Sequence, residues 1–153
     1  MVFLFILISI QFIRPAPNSG NADGANDIFH YTYVSPEVKR LLQKSCYDCH
    51  SDHTDYPWYT NIQPIGWWMQ DHVDEGKDEV NFSQFNTYRI KRKIRKFHEI
   101  AEQIEEGEMP ITSYTLIHGG AKLSSEQGKL LIDWATKNED SLSKLYPDSL
   151  PKR

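Results

Sequence analysis

The chain contains two cysteines, which stand three positions apart and directly before a histidine, in the run Cys46-Tyr47-Asp48-Cys49-His50. C-x-x-C-H is the attachment signature of a c-type haem. Two thiols on one turn of helix can add to the two vinyl groups at one edge of a porphyrin, and the adjacent imidazole can reach the iron as its proximal ligand. The motif therefore predicts one haem c per chain, bound covalently through Cys46 and Cys49, with His50 on the iron.

Three other uses of these residues compete with haem attachment. A thioredoxin-type dithiol places its first thiol at a helix N-terminus, which lowers the pKa of that thiol, whereas here a predicted helix precedes the pair. A zinc site would join Cys46, Cys49 and His50 to another histidine such as His53, but adjacent Cys-His ligands crowd a tetrahedral ion and no second C-x-x-C is present. A structural disulfide across so short a loop is the weakest alternative.

Composition excludes several classes of protein. The 153 residues leave room for one domain of ordinary size. Seventeen basic against 21 acidic side chains give a net charge of −4, which argues against binding to nucleic acid. Two cysteines cannot build a disulfide-rich scaffold. Because 39% of the residues are hydrophobic and 12% aromatic, a folded core is expected.

The N-terminal thirteen residues carry no charge and are mostly apolar. The run is shorter than the ~20 residues that span a bilayer, and no small-residue cleavage pattern follows it. A retained anchor, a cleaved signal and a hydrophobic strand of the domain are the alternatives; the strand is the weakest because residues 18–27 have linker composition. We assign residues 1–14 to an anchor or signal segment and 15–34 to a linker, which predicts a periplasmic or otherwise extracytoplasmic, membrane-tethered protein.

Four longer helices are predicted from apolar residues at spacings of three and four and from capping residues or prolines at their starts. No stretch shows the alternating pattern of a strand, and no repeat is present. The sequence therefore predicts an all-α domain over residues 35–147, with long loops around one core and a C-terminal tail at 148–153. The predicted helices run from Ser35-Pro36 to Cys46, from Pro64 to about Lys77, from about Thr87 to about Glu106, and from Ser124 onward.

A six-coordinate haem iron needs a second axial ligand, either Met or His. Met109 is the strongest candidate, because it follows a helix ended by Gly107 and precedes Pro110, so that its loop is stiffened. His118 comes second, and an open or otherwise filled site third. Met69 is interpreted as core filler, and the histidines of the charged helices as solvent-facing. The full set of candidates is Met69, Met109, His53, His72, His98 and His118.

The chain from about Ser35 to Ala135 resembles the bacterial haem-binding-domain family, small single-haem proteins usually preceded by an N-terminal membrane segment. The resemblance lies in CYDCHSDHTDYPWYTNIQPIGWWMQDHVDEGKDEVNFSQF and EIAEQIEEGEMPITSYTLIHGGAKLSSEQ. It implies a cytochrome c-like bundle of about four helices around one covalent haem, with His50 and Met109 on opposite sides of the iron. The chain departs from the family pattern at Gly119-Gly120 and in its abbreviated N-terminus.

Charge is unevenly distributed along the third predicted helix. Six of the eight residues at 89–96 are basic, and five glutamates follow between positions 99 and 108. One interpretation is a solvated charged surface. A second is that the acidic end, beside Met109, attracts a basic redox partner. A third is that the basic end rests on anionic lipid headgroups.

The function predicted from these features is a c-type cytochrome domain that exchanges single electrons with redox protein partners outside the cytoplasm. In this interpretation the protein is a carrier rather than an enzyme. The alternatives are a haem-based peroxidase or gas sensor with an open distal site, and a thiol-disulfide oxidoreductase that uses the two cysteines.

Overall fold

A computed structural model describes residues 1–149 of the chain. Within this range it contains eight α-helices and no strand, which confirms the predicted all-α fold. Short 3-10 turns connect several of them. Of the predicted tail at 148–153, residues 150–153 lie outside the described range. The helices are α1 (Val2–Ile10), α2 (Ile28–Tyr31), α3 (Pro36–Ser45), α4 (Tyr47–His50), α5 (Ile65–Glu79), α6 (Ile90–Glu105), α7 (Thr112–Ile117) and α8 (Ser125–Leu145).

The four predicted helices correspond to α3, α5, α6 and α8. Local capping explains two of their starts: the Ser35 side chain accepts a hydrogen bond from the backbone N–H of Val38, and Ser124 and Gln127 form a capping box with hydrogen bonds of 3.2 and 2.9 Å. The third helix begins later than expected. A 3-10 turn covers Phe82–Thr87, and regular α-helix starts only at Ile90.

The core lies where α6 packs along α8. Phe97 on α6 is fully buried and makes edge-to-face contacts with Phe85 and Trp134, at centroid distances of 5.0 and 5.5 Å. Such pairs add about 0.5–1.5 kcal/mol each beyond the burial of their area. Leu42 of α3 and Leu131 of α8 complete the fully buried centre. This packing holds α3 and α6 in place, and both contribute residues to the site described below.

The segment expected to be a linker, residues 15–34, packs onto the domain from Asn18 onward. The Asn18 amide donates to the carbonyl of Ser51 and to the Thr54 hydroxyl, both at 2.9 Å. Asp27 and Ile28 are fully buried, and the Asp27 carboxylate accepts from the backbone N–H of Phe29 to cap α2. The small polar residues therefore serve as caps and turns, because their side chains pair with backbone groups.

Helix α1 is apolar and exposed along nearly its whole length. Since residues 2–10 are helical, the alternative of a hydrophobic strand is wrong. No helix within residues 1–149 combines the length and the apolar character needed to cross a bilayer.

Candidate functional site

A cavity of about 640 Å³ opens between α4, α5, α6 and the segment that leads from α6 into α7. This volume lies within the range of ligand and cofactor sites, roughly 300–1,000 Å³. The cavity wall contains all four residues predicted to hold haem: Cys46, Cys49, His50 and Met109. Met109 and the three residues of the C-x-x-C-H motif, about 60 positions apart in the chain, thus line one cavity.

The C-x-x-C-H motif occupies a helical turn of its own. Helix α3 ends at Ser45, and Cys46, with φ −130° and ψ −36°, separates it from α4. Positions i, i+3 and i+4 of such a turn share one face. Cys46, Cys49 and His50 therefore line the cavity together, while Tyr47 points into the core.

Tyr47 anchors this turn from the side opposite the cavity. Its hydroxyl lies 2.9 and 3.1 Å from the two carboxylate oxygens of Asp27, to which it donates. Its ring is stacked with those of Phe29 and Phe82, at centroid distances of 5.1 and 5.4 Å. A hydrogen bond to a charged group contributes about 1.5–3 kcal/mol. The packed N-terminal segment and the core together fix the orientation of the motif.

The His50 imidazole is held in one tautomer. Its Nδ1 lies 2.8 Å from the carbonyl oxygen of Gly76 and 3.1 Å from that of Val80, and both oxygens can only accept, so Nδ1 carries the proton. Burial lowers the pKa of His50, which favours the neutral ring. The lone pair on Nε2 is therefore available to a metal, and the donated N–H raises the basicity of the ring as a ligand.

Gly76 allows α5 to approach the motif closely enough for that hydrogen bond. A Cβ atom at position 76 would lie 2.7 Å from the carbonyl oxygen of Cys49 and 3.2 Å from its Cβ. Real side chains essentially never come so close to backbone atoms. The glycine is required here by contact between helices rather than by a turn, since it lies inside α5.

Burial favours the protonated form of both thiols. Burial raises the pKa of Cys46 to about 12 and that of Cys49 to about 11. Reactive dithiols show the opposite shift, to values below that of a free cysteine. Within residues 1–149 no group of three or more His, Cys, Asp or Glu side chains is arranged to hold a metal ion. The raised pKa values of the thiols argue against the thiol-redox alternative.

Met109 is held by the C-terminal end of α6. Gly107, with φ +77°, adopts the left-handed conformation that favours glycine. The N–H of Gly107 donates to the carbonyl of Ile104, and that of Glu108 to the carbonyl of Gln103, which together form a Schellman motif. The Met109 N–H also donates to Gln103, at 3.1 Å. The backbone that carries the thioether is therefore rigidly positioned on the cavity wall.

Of the six candidates for the distal ligand, Met109 and His72 lie on the cavity wall. His72, predicted to have a surface role, is partly exposed; its Nδ1 lies 2.8 Å from the carbonyl oxygen of Trp68, and its Nε2 makes no hydrogen bond within residues 1–149. His72, Gly76 and Glu79 lie at helical spacing along one face of α5. This spacing was the sequence feature that could have predicted the place of His72 on the cavity wall. The remaining candidates lie elsewhere: His53 beside Asp55, His98 beside Glu139, His118 beside Tyr59, and Met69 in the interior.

Tyr114 connects the Met109 side of the cavity to the C-x-x-C-H turn. Its hydroxyl donates to the Asp48 carboxylate at 2.6 Å, and its ring lines the cavity. Burial and the neighbouring carboxylate raise the pKa of Tyr114 above its usual range. Because the two partners lie 66 positions apart, the sequence contained no local pattern that could predict this bond.

The basic run at 89–96 is not uniformly solvated. The Lys96 side chain is 6% exposed, lies on the cavity wall and pairs with Glu79 at 3.2 Å and Glu99 at 2.5 Å. Lys93 is also buried, with its ammonium 3.8 Å from the centre of the Tyr31 ring. Carboxylates and an aromatic face replace part of the lost hydration of these cations.

The residues present fit a haem. Two protonated thiols, an imidazole of settled tautomer and a thioether surround one cavity, and Val80, Ile100 and Ile111 add apolar wall. These are the groups that bind a haem covalently and ligate its iron from both sides. An all-α fold with this site defines a haem-binding protein.

The comparison with protein families agrees with the geometry. The model of the haem-binding domain family matches residues 5–137, and the chain belongs to that family. Membership of the family that the sequence resembles is confirmed, and the protein is a haem-binding domain. No curated protein and no solved structure matches the chain.

Proposed function

We propose that the protein is a c-type cytochrome domain that carries single electrons outside the cytoplasm. One haem per chain would be attached to Cys46 and Cys49, with His50 as the proximal and Met109 as the distal ligand. The observation that carries the proposal is that all four residues line one cavity, with His50 held in its ligating tautomer by two carbonyls.

Covalent attachment is consistent with the state of the thiols. Addition of each S–H across a vinyl group places sulfur on one carbon and hydrogen on the other, so no external oxidant is needed. Burial raises the pKa of both cysteines and keeps the thiols protonated. Their place on one face of the C-x-x-C-H turn would present both to the same porphyrin edge.

The ligand set favours a carrier over a catalyst. Bound haem supplies a one-electron couple between ferric and ferrous iron, and a Met/His pair raises its potential relative to two histidines. The Schellman motif holds Met109 at the cavity, and the carbonyls of Gly76 and Val80 hold His50. Residues held in this way would retain their ligation of the iron in both oxidation states.

A second candidate is a haem peroxidase or gas sensor with an open distal site. One observation favours it: His72 lies on the cavity wall with Nε2 unbonded within the described residues. If Met109 does not ligate, His72 is the group positioned to exchange a proton with a distal ligand.

Spectroscopy of the full chain, produced with haem-attachment machinery, tests the assignment. We expect haem that remains on the polypeptide after denaturation and a ferric sulfur-to-iron charge-transfer band. Met109→Ala should abolish the band, whereas Met69→Leu, a matched change of a buried methionine outside the cavity wall, should preserve it. Loss of haem on denaturation would overturn covalent attachment, and a band that survives in Met109→Ala would overturn the distal assignment.

Redox protein partners follow from the carrier role. The carboxylates of Glu75, Glu79 and Glu102 are exposed at the rim of the cavity, which supports attraction of a basic partner. Electron-transfer rates should then fall as salt is raised, because exposed charges are screened. A flat dependence on ionic strength would contradict this.

The proposed location is periplasmic or otherwise extracytoplasmic, because covalent haem attachment takes place there and residues 1–14 read as an anchor or signal segment. The proposed haem-binding unit is residues 35–147, onto which the segment from Asn18 packs. Fractionation of cells that produce the full chain tests the location, and recovery of the haem protein in the cytoplasm would contradict it.

A further inference from the structure

Besides residues 80–88, whose Phe82 and Phe85 lie in the core, three segments of nine or more residues contain no Asp, Glu, Lys, Arg or His: residues 1–13, 56–70 and 109–117. Charged residues make up 25% of the whole sequence, so a run of fifteen without one is unusual for a surface. The structure brings the three segments together. We call the surface they form the uncharged face.

The first two segments are joined by hydrogen bonds at the base of α1. The Gln11 side chain donates to the carbonyl of Gln63 at 3.0 Å and accepts from its N–H at 2.9 Å. The Trp67 indole donates to the carbonyl of Ile13 at 2.7 Å. Because Gln63 and Trp67 lie at the start of α5, these bonds attach α1 directly to the haem-binding domain.

The third segment reaches the second through Tyr59. Its hydroxyl lies 3.4 Å from Nε2 of His118, the C-cap residue of α7, which follows directly after segment 109–117. The His118 ring is packed against Tyr114 of α7, at a centroid distance of 4.4 Å. The C-terminal end of α7 therefore lies near the 3-10 turn at Trp58–Asn61.

The uncharged face exposes large apolar side chains. Trp58 is 76% exposed and Leu116 79% exposed, and the side chains of α1 are exposed as well. A soluble surface seldom groups so many without a partner. Within segments 56–70 and 109–117 the exposed large apolar residues are Trp58, Ile62, Ile65, Trp68, Leu116 and Ile117.

We propose that the uncharged face lies on the surface of a lipid bilayer. The domain would then contact the membrane directly beside α1, and α1 would not be its sole point of attachment. The inference rests on the proposed membrane association and extends it to the domain itself. The apolar helix α1 is continuous with the face, and its base is hydrogen-bonded to it. Trp and Tyr side chains gather at membrane interfaces, where an apolar ring and a polar tip are both accommodated. A face without charge also avoids the cost of desolvating ions against lipid.

The test uses the haem-loaded full chain and vesicles of phosphatidylcholine with phosphatidylglycerol. Hydrogen exchange should slow in the loop and turn at 56–62 and in 109–117 when vesicles are added, and stay unchanged in α8. Replacement of Trp58 and Trp68 by serine should lower vesicle partitioning by about tenfold or more, since each variant side chain no longer buries an indole ring in the lipid. The matched control, Tyr33→Ser with Leu145→Ser, removes two exposed apolar side chains outside the face and should leave partitioning unchanged.

Each other outcome overturns a defined part of the inference. If vesicles slow hydrogen exchange only in residues 1–13, the N-terminal segment binds the membrane but the domain does not lie on it, which would refute the inference. Protection that appears at high protein concentration without lipid would show that a second copy covers the face. Absence of vesicle binding, with the haem spectrum unaltered, would refute both the tether and the face while the haem-binding assignment stands.

Discussion

Replacement of Gly76 by alanine is expected to separate α4 and α5, the two helices that position His50. The added Cβ would lie 2.7 Å from the Cys49 carbonyl oxygen and 3.2 Å from the Cys49 Cβ. Favourable separations of non-bonded carbon atoms are about 3.5–4.0 Å, so α5 must move away from α4 by roughly 0.5 Å. The same movement lengthens the 2.8 Å bond from His50 Nδ1 to the Gly76 carbonyl.

Two opposing effects determine how much Gly76→Ala changes the free energy of unfolding. Overpacking of this kind costs about 1–3 kcal/mol, whereas alanine is favoured over glycine inside a helix by about 1 kcal/mol. The net loss of stability should therefore be about 0–2 kcal/mol. Gly128→Ala is the matched control, because that glycine also lies inside a helix and its added Cβ would meet its nearest neighbour, Ile104, at 3.7 Å, an ordinary contact. Gly128→Ala should stabilise the chain by about 1 kcal/mol.

Denaturant unfolding of the haem-loaded full chain, followed by circular dichroism, measures both variants against the wild type. The difference between the two alanines, about 1–3 kcal/mol, isolates the steric term. The absorption spectrum of the haem reports whether His50 still ligates in its original orientation. Equal shifts for the two variants would refute the steric argument, and an unchanged spectrum in a destabilised Gly76→Ala would refute the link to His50.

Tyr114→Phe removes a 2.6 Å hydrogen bond to the Asp48 carboxylate and leaves the ring in place, so unfolding should show a loss of about 1–3 kcal/mol; no change would mean that this bond does not hold α7 to the motif. Lys96→Met removes a cation that is buried on the cavity wall and should lower the midpoint potential by roughly 50 mV in spectroelectrochemistry. Lys91→Met, an exposed change on the same helix, should shift it far less, and equal shifts would contradict a local effect. Burial raises the pKa of Asp27 above its ordinary value of 3.8. The folded chain therefore binds a proton at Asp27 more tightly than the unfolded chain does. The free energy of unfolding should decline as pH rises from 3.8 through the raised pKa of Asp27. Asp27→Asn should flatten that part of the stability–pH curve, and a curve parallel to the wild type would contradict the assignment.

The parts of the fold that the sequence predicted depend on interactions within a few residues. The start of α8 follows from Ser124 and Gln127, which cap each other across three positions. The end of α6 follows from Gly107, whose positive φ completes the Schellman motif beside Met109. Such signals are local, so they can be read without knowledge of the tertiary structure.

The structural features that the sequence did not predict depend on contacts between residues that are distant in the chain. Lys96 looked solvent-facing within its basic run, yet glutamates on α5 and α6 surround it. His72 was assigned a surface role beside two aspartates and is partly exposed, but the sequence did not predict that the packing of α5 places it on the cavity wall. The segment before α2 has the composition of a linker, because its hydrogen bonds to Ser51 and Tyr47 join residues far apart in the chain and leave no trace in composition.

The sequence by itself determined that the protein is all-α and that its two thiols and adjacent imidazole belong to one helical turn, because periodicity, caps and the C-x-x-C-H spacing act over short distances. Only the tertiary structure decided that Met109 shares a cavity with that turn, that the carbonyls of Gly76 and Val80 select the tautomer of His50, and that three uncharged segments meet on one face. Each of these depends on how close the packed helices approach one another, and a contact of that kind leaves no pattern in the order of the residues.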